Sequence, residues 1–143
     1  MLNKIFLLTL VLIVPLHAIA DNAPRRVRVS EISKAPMTAG LLTITFLKLS
    51  SSPRLGNGRI EVLVENSSTG FATFYPQRLS FVGEDNVQVD VWGTWSGESS
   101  IVPPREKSIA PGARAKENYY LDGKLSLPAR LYYDEKLLAV ITD

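Results

Sequence analysis

The chain has 143 residues, with sixteen Lys and Arg, fourteen Asp and Glu, one histidine and no cysteine, for a formal net charge of +2. Its histidine, His17, lies in a segment that reads as a secretory signal peptide: Lys4, an apolar run from Ile5 to Val14 interrupted by Thr9, and Ala18-Ile19-Ala20 before Asp21. Removing that segment leaves neither imidazole nor thiol, which excludes Ser-His and Cys-His nucleophilic catalysis, thiolate chemistry and His- or Cys-ligated zinc and copper sites.

The apolar run is about ten residues, half of what a helix needs to span a bilayer. The expectation is cleavage of residues 1–20, no transmembrane segment afterwards, and export of residues 21–143 to the periplasm or outside the cell. Without disulfides the mature chain depends on its core, and its length suits one domain. Loss of Lys4 leaves fifteen basic against fourteen acidic residues, a balance that names no partner. Arg25, Arg26 and Arg28 form a local basic cluster, read as a solvated strand face; no nucleic-acid partner is expected, because no aromatic or fold motif accompanies them.

No sustained helical period occurs in residues 21–143, while short apolar or alternating runs between Gly, Pro, Asn and Ser recur. Val27 to Ile32 reads as the first strand, and a loop through Pro36 and Gly40 leads to a strand over 41–49. There Leu42, Ile44 and Phe46 share a face before the apolar phase moves to Leu47 and Leu49, so a bulge is expected between Phe46 and Lys48. Ile60, Val62 and Val64 alternate with polar residues up to Asn66-Ser67-Ser68, a strand-ending turn that also fits the N-glycosylation pattern. Phe71 to Tyr75 and Leu79 to Val82 are extended and separated by Pro76; Gly83 to Asn86 is a turn. Val87, Val89 and Val91 mark the core face of the next strand, "SGESS" a loop, Ile101-Val102 a short strand and Pro103-Pro104 a stop. Pro111-Gly112 precedes a strand over 113–121, and a hairpin over 125–133 and 136–141 turns at Asp134-Glu135. The fold expected is all-β, an immunoglobulin-like antiparallel β-sandwich of about seven to nine strands.

Three polar groups invite chemistry. Glu84-Asp85-Asn86 with Asp90 is oxygen-rich, but it matches no calcium-loop spacing and reads as an ordinary turn, so no metal or cofactor is expected. Asp134-Glu135 raises the carboxylate pair of glycosidases, but adjacent residues at a hairpin tip in water read as hairpin solvation. No G-x-S-x-G, S-x-x-K or phosphate-cradling loop is present, and an enzyme is not expected.

The candidate ligand-binding residues are aromatic: Trp92, Trp95, Tyr120 and Tyr132. Tyr119-Tyr120 and Tyr132-Tyr133 should each point one ring inward and one outward. Alternation from the valines puts Trp92 on the outer face. If Gly93 preserves the register, Trp95 returns to the valine side as a core plug whose removal costs about 3–5 kcal/mol.

The segments "RIEVLVENSS" and "SIAPGARAKENYYLDGKLSLPARLYYDEKLLAVI" resemble small secreted bacterial immunoglobulin-like modules in a V-x-V-x-N-x-S stretch, an apolar-x-P-G turn and a closing strand pair of the L-x-Y type. The resemblance covers residues 59–141 and implies an exported accessory, adhesion or ligand-presenting role without shared catalytic residues. "IVPPREKSIAPGARA" is also similar to the first domain of periplasmic pilus chaperones, which donate a strand to a subunit. This chain departs from that family by lacking a second domain and a secure match to its subunit-anchoring basic pair. The function expected is non-enzymatic binding of a protein or cell-envelope component. The alternatives are carbohydrate binding through exposed aromatics and chaperone-like strand donation.

Overall fold

The computed structural model describes residues 23–51 and 57–143, so the predicted signal segment lies outside the described residues. In chain order the strands are β1 (Arg26–Arg28), β2 (Met37–Ala39), β3 (Leu42–Ser51), β4 (Gly58–Asn66), β5 (Ala72–Phe74), β6 (Leu79–Val82), β7 (Gln88–Trp95), β8 (Ile101–Val102), β9 (Lys107–Ile109), β10 (Arg114–Leu121), β11 (Ala129–Tyr133) and β12 (Lys136–Thr142). These twelve exceed the seven to nine expected, because several strands of two to four residues are too short to show alternation.

The strands form a β-sandwich. Its main path runs β1-β12-β11-β6-β7-β10-β4-β3-β2, and β7 joins its two faces. Phe81 and Val89 pair across β6 and β7; one step on, Val91 and Gly93 pair with β10 instead. Where β7 changes partners, the Asp122 carboxylate accepts the Asp90 N–H at 2.8 Å and the Asp122 N–H donates to the Asp90 carbonyl at 2.9 Å. Those bonds satisfy groups that a broken ladder would otherwise leave open. Neighbouring strands are antiparallel apart from β1, which runs parallel to β12.

Alternation explains the core. On β4 the even residues Ile60, Val62 and Val64 are buried between half-exposed Glu61, Leu63 and Glu65. The β3–β4 register slips between Phe46 and Lys48, as the shift in apolar phase predicts. Phe46 from one sheet then meets Phe81 from the other, edge to face, with centroids 5.9 Å apart. A separate ribbon of β5 and β9 adds Ala72, Phe74 and Ile109 to the same core. Phe74 stacks on Tyr133 at 5.7 Å and tilts against Tyr119 at 6.3 Å.

Several expectations need correction. Val27 does not begin a strand to Ile32, since the backbone leaves β1 at Arg28 for a 3-10 turn over Val29–Lys34 that buries Ile32. The segment through Pro36 and Gly40 is not a simple loop: Met37–Ala39 pairs with Leu42–Ile44, and Gly40, at φ 63°, makes the reversal. Val87 lies before β7 and is 54% exposed, so the valine face starts at Val89. The 125–133 strand begins only at Ala129, although Leu125 is buried. Its hairpin does turn at Asp134-Glu135, with both residues at positive φ (49° and 65°), as a two-residue turn between twisted strands requires.

Candidate functional site

β7 and β8 make a projecting hairpin with Thr94 opposite Val102 and Trp95 opposite Ile101. Its loop is tied internally: the Ser96 N–H donates to the Ser100 carbonyl at 3.0 Å, and the Glu98 N–H donates to the Ser96 hydroxyl at 3.2 Å. At the root, Ile101 lies over Gly93, where a Cβ would collide with Ile101 Cγ2. Glycine is therefore needed there for the close approach of Ile101.

The register corrects the expectation for Trp95. Val91 pairs with Leu121 but Gly93 with Tyr120, so a bulge breaks the predicted parity and turns Trp95 to the face that Tyr120 and Asn118 share, where it is 53% exposed. It is not a core plug. Trp92, the extra residue at that bulge, is 44% exposed. Both indoles and the partly exposed Val102 thus stand on one hairpin.

The four candidate residues do not converge on one point. Trp95 and Tyr120 line a cleft of about 330 Å³ together with Lys48, Ser50, Arg59, Glu61 and Asn118. The cleft lies on the outer side of β3, β4 and β10, whose registers place Lys48 opposite Glu61, Ser50 opposite Arg59, Asn118 opposite Glu61 and Tyr120 opposite Arg59. The Arg59 guanidinium carbon sits 4.8 Å from the Tyr120 ring centroid, a cation–π contact. Thr94 donates to the Asn118 carbonyl at 2.8 Å, which fixes the hairpin against β10. Tyr132 instead lines a wider polar groove of about 740 Å³ with Arg78, Ser80, Asp90 and Glu135, and Trp92 lines neither.

Arg59, Lys48 and Asn118 are absent from the sequence-based set. Arg59 reads as one of the polar residues alternating along a strand; its place beside Tyr120 depends on the β4–β10 register, which one strand's pattern does not contain.

Each tyrosine pair divides as alternation predicts, with Tyr119 and Tyr133 buried and Tyr120 and Tyr132 partly exposed. Burial pushes the Tyr119 hydroxyl well above its usual pKa, and nearby Glu117 adds to the shift. Burial also raises Tyr133, although its oxygen accepts the Tyr75 N–H at 3.0 Å. These inner hydroxyls stay protonated at neutral pH and serve the core.

The polar groups read as turns behave as such. Asp85 accepts the Val87 N–H at 3.1 Å and the Ser126 hydroxyl at 3.3 Å, and Asn86 receives Arg130 at 3.2 Å. Among the described residues no three His, Cys, Asp or Glu side chains are placed to hold a metal ion. Asp134, at the hairpin tip, pairs with Arg78 at 3.3 Å in an exposed contact. Asn66 is almost fully buried; its amide donates to the carbonyls of Gly70 (2.7 Å) and Ile109 (2.9 Å). A glycan at Asn66 would have to replace those bonds, so the strand-ending turn is the role the geometry supports. The basic cluster stands on β1, where Arg26 and Arg28 flank buried Val27 and Arg25 donates to the Pro36 carbonyl at 2.8 Å. Among the described residues no helix is long and apolar enough to cross a membrane.

The fold and rim define a small β-sandwich with exposed aromatics on one hairpin and an aromatic, basic cleft beside it. This architecture is similar to the crystal structure, at 1.5 Å resolution, of MPT63, a secreted protein from Mycobacterium tuberculosis. The similarity covers 85% of this chain and 99% of that one, with a TM-score of 0.52 and 14% sequence identity, and it supports the β-sandwich fold. No family model matches the chain, and no curated protein matches it in sequence.

Proposed function

We propose that the protein is an exported, non-enzymatic binding module that recognises a cell-envelope component through the β7–β8 hairpin and the cleft at its base. The observation that carries this reading is the exposure of Trp92 and Trp95 on a hairpin whose loop and root are tied by hydrogen bonds. Large aromatics held on a rigid element bring contact area at little cost in ordering, which is why they anchor recognition surfaces. The missing imidazole and thiol after Ala20 support a role without nucleophilic catalysis. The signal-like first twenty residues support export. Residues 21–143 are read as one immunoglobulin-like domain, because the described strands contribute to a single buried cluster.

Chaperone-like strand donation has less support, since β8 is two residues long and runs into Pro103-Pro104. The test is retention of envelope fractions on immobilised residues 21–143. The double variant Trp92→Ala, Trp95→Ala should lose the retained component while still unfolding in one cooperative transition, with a melting temperature lowered by no more than about ten degrees. Equal retention by the variant would refute a role for the hairpin.

A further inference from the structure

Five kinds of group converge on the cleft beside the hairpin: an indole (Trp95), a phenol ring (Tyr120), two cations (Lys48, Arg59), an amide (Asn118) and a hydroxyl (Ser50), with Glu61 at its wall. Their charges are not balanced locally. Glu61 forms an ion pair with Lys116, whereas among the described residues neither Lys48 nor Arg59 forms one. Arg59 covers one face of Tyr120, so its positive charge is held beside an aromatic wall. The volume, about 330 Å³, falls at the small end of ordinary ligand pockets, roughly 300–1,000 Å³.

Resting on the binding-module reading above, we propose that this cleft binds an acidic saccharide, with a sugar ring against Trp95 and Tyr120 and its carboxylate between Lys48 and Arg59. A pyranose ring has a C–H face that suits an aromatic wall and a rim of hydroxyls that need both donors and acceptors, which Asn118, Ser50 and Glu61 supply. A carboxylate accepts the paired N–H groups of a guanidinium with a fixed geometry, so Arg59 gives direction as well as charge. An acidic peptide is the competing occupant, but it fits less well. Extended peptides gain affinity by pairing with an open strand edge, whereas in the cleft floor β4 is paired on both sides, Tyr120 of β10 pairs with Gly93, and Thr94 occupies the Asn118 carbonyl. At Arg59, Asn118 and Tyr120 the floor offers chiefly side chains.

The test uses the mature protein and three probes: oligogalacturonate, its methyl-esterified neutral form, and polyglutamate, followed by calorimetry and tryptophan fluorescence. The expected result is binding of oligogalacturonate with a change in Trp95 emission, and weak or no binding of the ester and of polyglutamate. Arg59→Gln and Lys48→Gln should each weaken binding by roughly tenfold to a hundredfold, the usual effect of losing a charge-assisted hydrogen bond. Trp95→Ala should abolish the fluorescence change, while Arg26→Gln, on distant β1, should leave affinity intact. All four positions are exposed, and melting temperatures within a few degrees of wild type would establish that the variants fold.

Equal binding of the methyl ester would overturn the assignment of Lys48 and Arg59. Equal binding of polyglutamate would overturn selection of a sugar ring, and loss on Arg26→Gln would show that affinity comes from general charge attraction. No binding of any probe, with envelope retention still dependent on Trp92 and Trp95, would overturn the saccharide and leave the binding module standing. If that retention were also absent or indifferent to the two tryptophans, both would fall.

Discussion

At the centre of the sandwich Phe46 and Phe81 meet edge to face and are fully buried, whereas at the rim Trp92 and Trp95 stand 44% and 53% exposed. All four sit on strands with apolar residues in alternation. Parity decides which side of a sheet a residue faces, but depth is decided by how far the covering layer reaches. Phe81 lies opposite another sheet. Trp95, turned by the bulge in β7 to the outer face beside Tyr120, has no covering layer.

The sharpest way to test this contrast is to truncate the centre. Phe81→Ala removes a ring held between two sheets and should cost about 3–5 kcal/mol, the range for large aromatics deleted from packed cores. Urea denaturation would measure it. A loss near that of an exposed residue would mean that the two sheets do not pack through Phe46 and Phe81.

Next in size is Asn66, the buried polar residue at the end of β4. Besides its two donated bonds, its oxygen accepts the Ser68 N–H at 3.0 Å and the Ser68 hydroxyl at 2.6 Å. Asn66→Ala leaves two carbonyls and an amide without that partner and should cost about 2–3 kcal/mol, in line with unsatisfied buried groups. Ser68→Ala, which removes one partner near the surface, should cost less. Equal losses in urea denaturation would count against the buried amide as the main contributor.

Alkaline pH probes the inner tyrosines. Their folded-state pKa values are raised by burial, so they hold protons that the unfolded chain releases above about pH 10. The resulting stability is present below that pH and is lost as pH rises toward the folded-state values, by on the order of 1 kcal/mol for Tyr119 at about pH 11. Tyr119→Phe and Tyr133→Phe should each flatten the fall, measured as the change in urea midpoint between about pH 9 and 11. A fall indifferent to Tyr119 and Tyr133 would remove them as its cause.

These regions differ equally in how readable they are. The core of β4, the Phe46–Lys48 bulge, the break at Pro76 and the turn at Asp134-Glu135 follow from local pattern: a period of two, a one-residue phase slip, a missing donor and a two-residue turn. β9 is three residues long with one buried side chain, so its pairing with β5 has no local signature. The change of partner along β7 is equally hidden, because it is a property of β6 and β10 together. The site divides the same way. Outward aromatics on β7, β10 and β11 are visible from alternation, while the meeting of Trp95, Tyr120 and Arg59 requires the registers of three strands and the hairpin. Local sequence carries faces; it does not carry which faces become neighbours.

The smallest stability effect belongs to the rim and bears most directly on function. Because Trp95 is about half exposed and covers no central cavity, Trp95→Ala should cost about 1 kcal/mol, roughly half the free energy of burying a large apolar side chain completely. Trp92→Ala should cost a similar amount or less, so both should leave the melting temperature within a few degrees of wild type. Gly93→Ala separates hairpin geometry from indole contact. Its Cβ collides with Ile101, which must shift and carry β8 with it, so this substitution should reorient the hairpin while retaining both tryptophans. If binding depends on where Trp95 stands relative to Tyr120, Gly93→Ala should weaken retention of the envelope component nearly as much as Trp95→Ala. Tryptophan emission, which reports indole exposure, checks that the hairpin has moved. Full retention with a shifted emission would show that the indoles bind without help from the cleft, and the rim would then be an adhesive surface instead of one wall of a site.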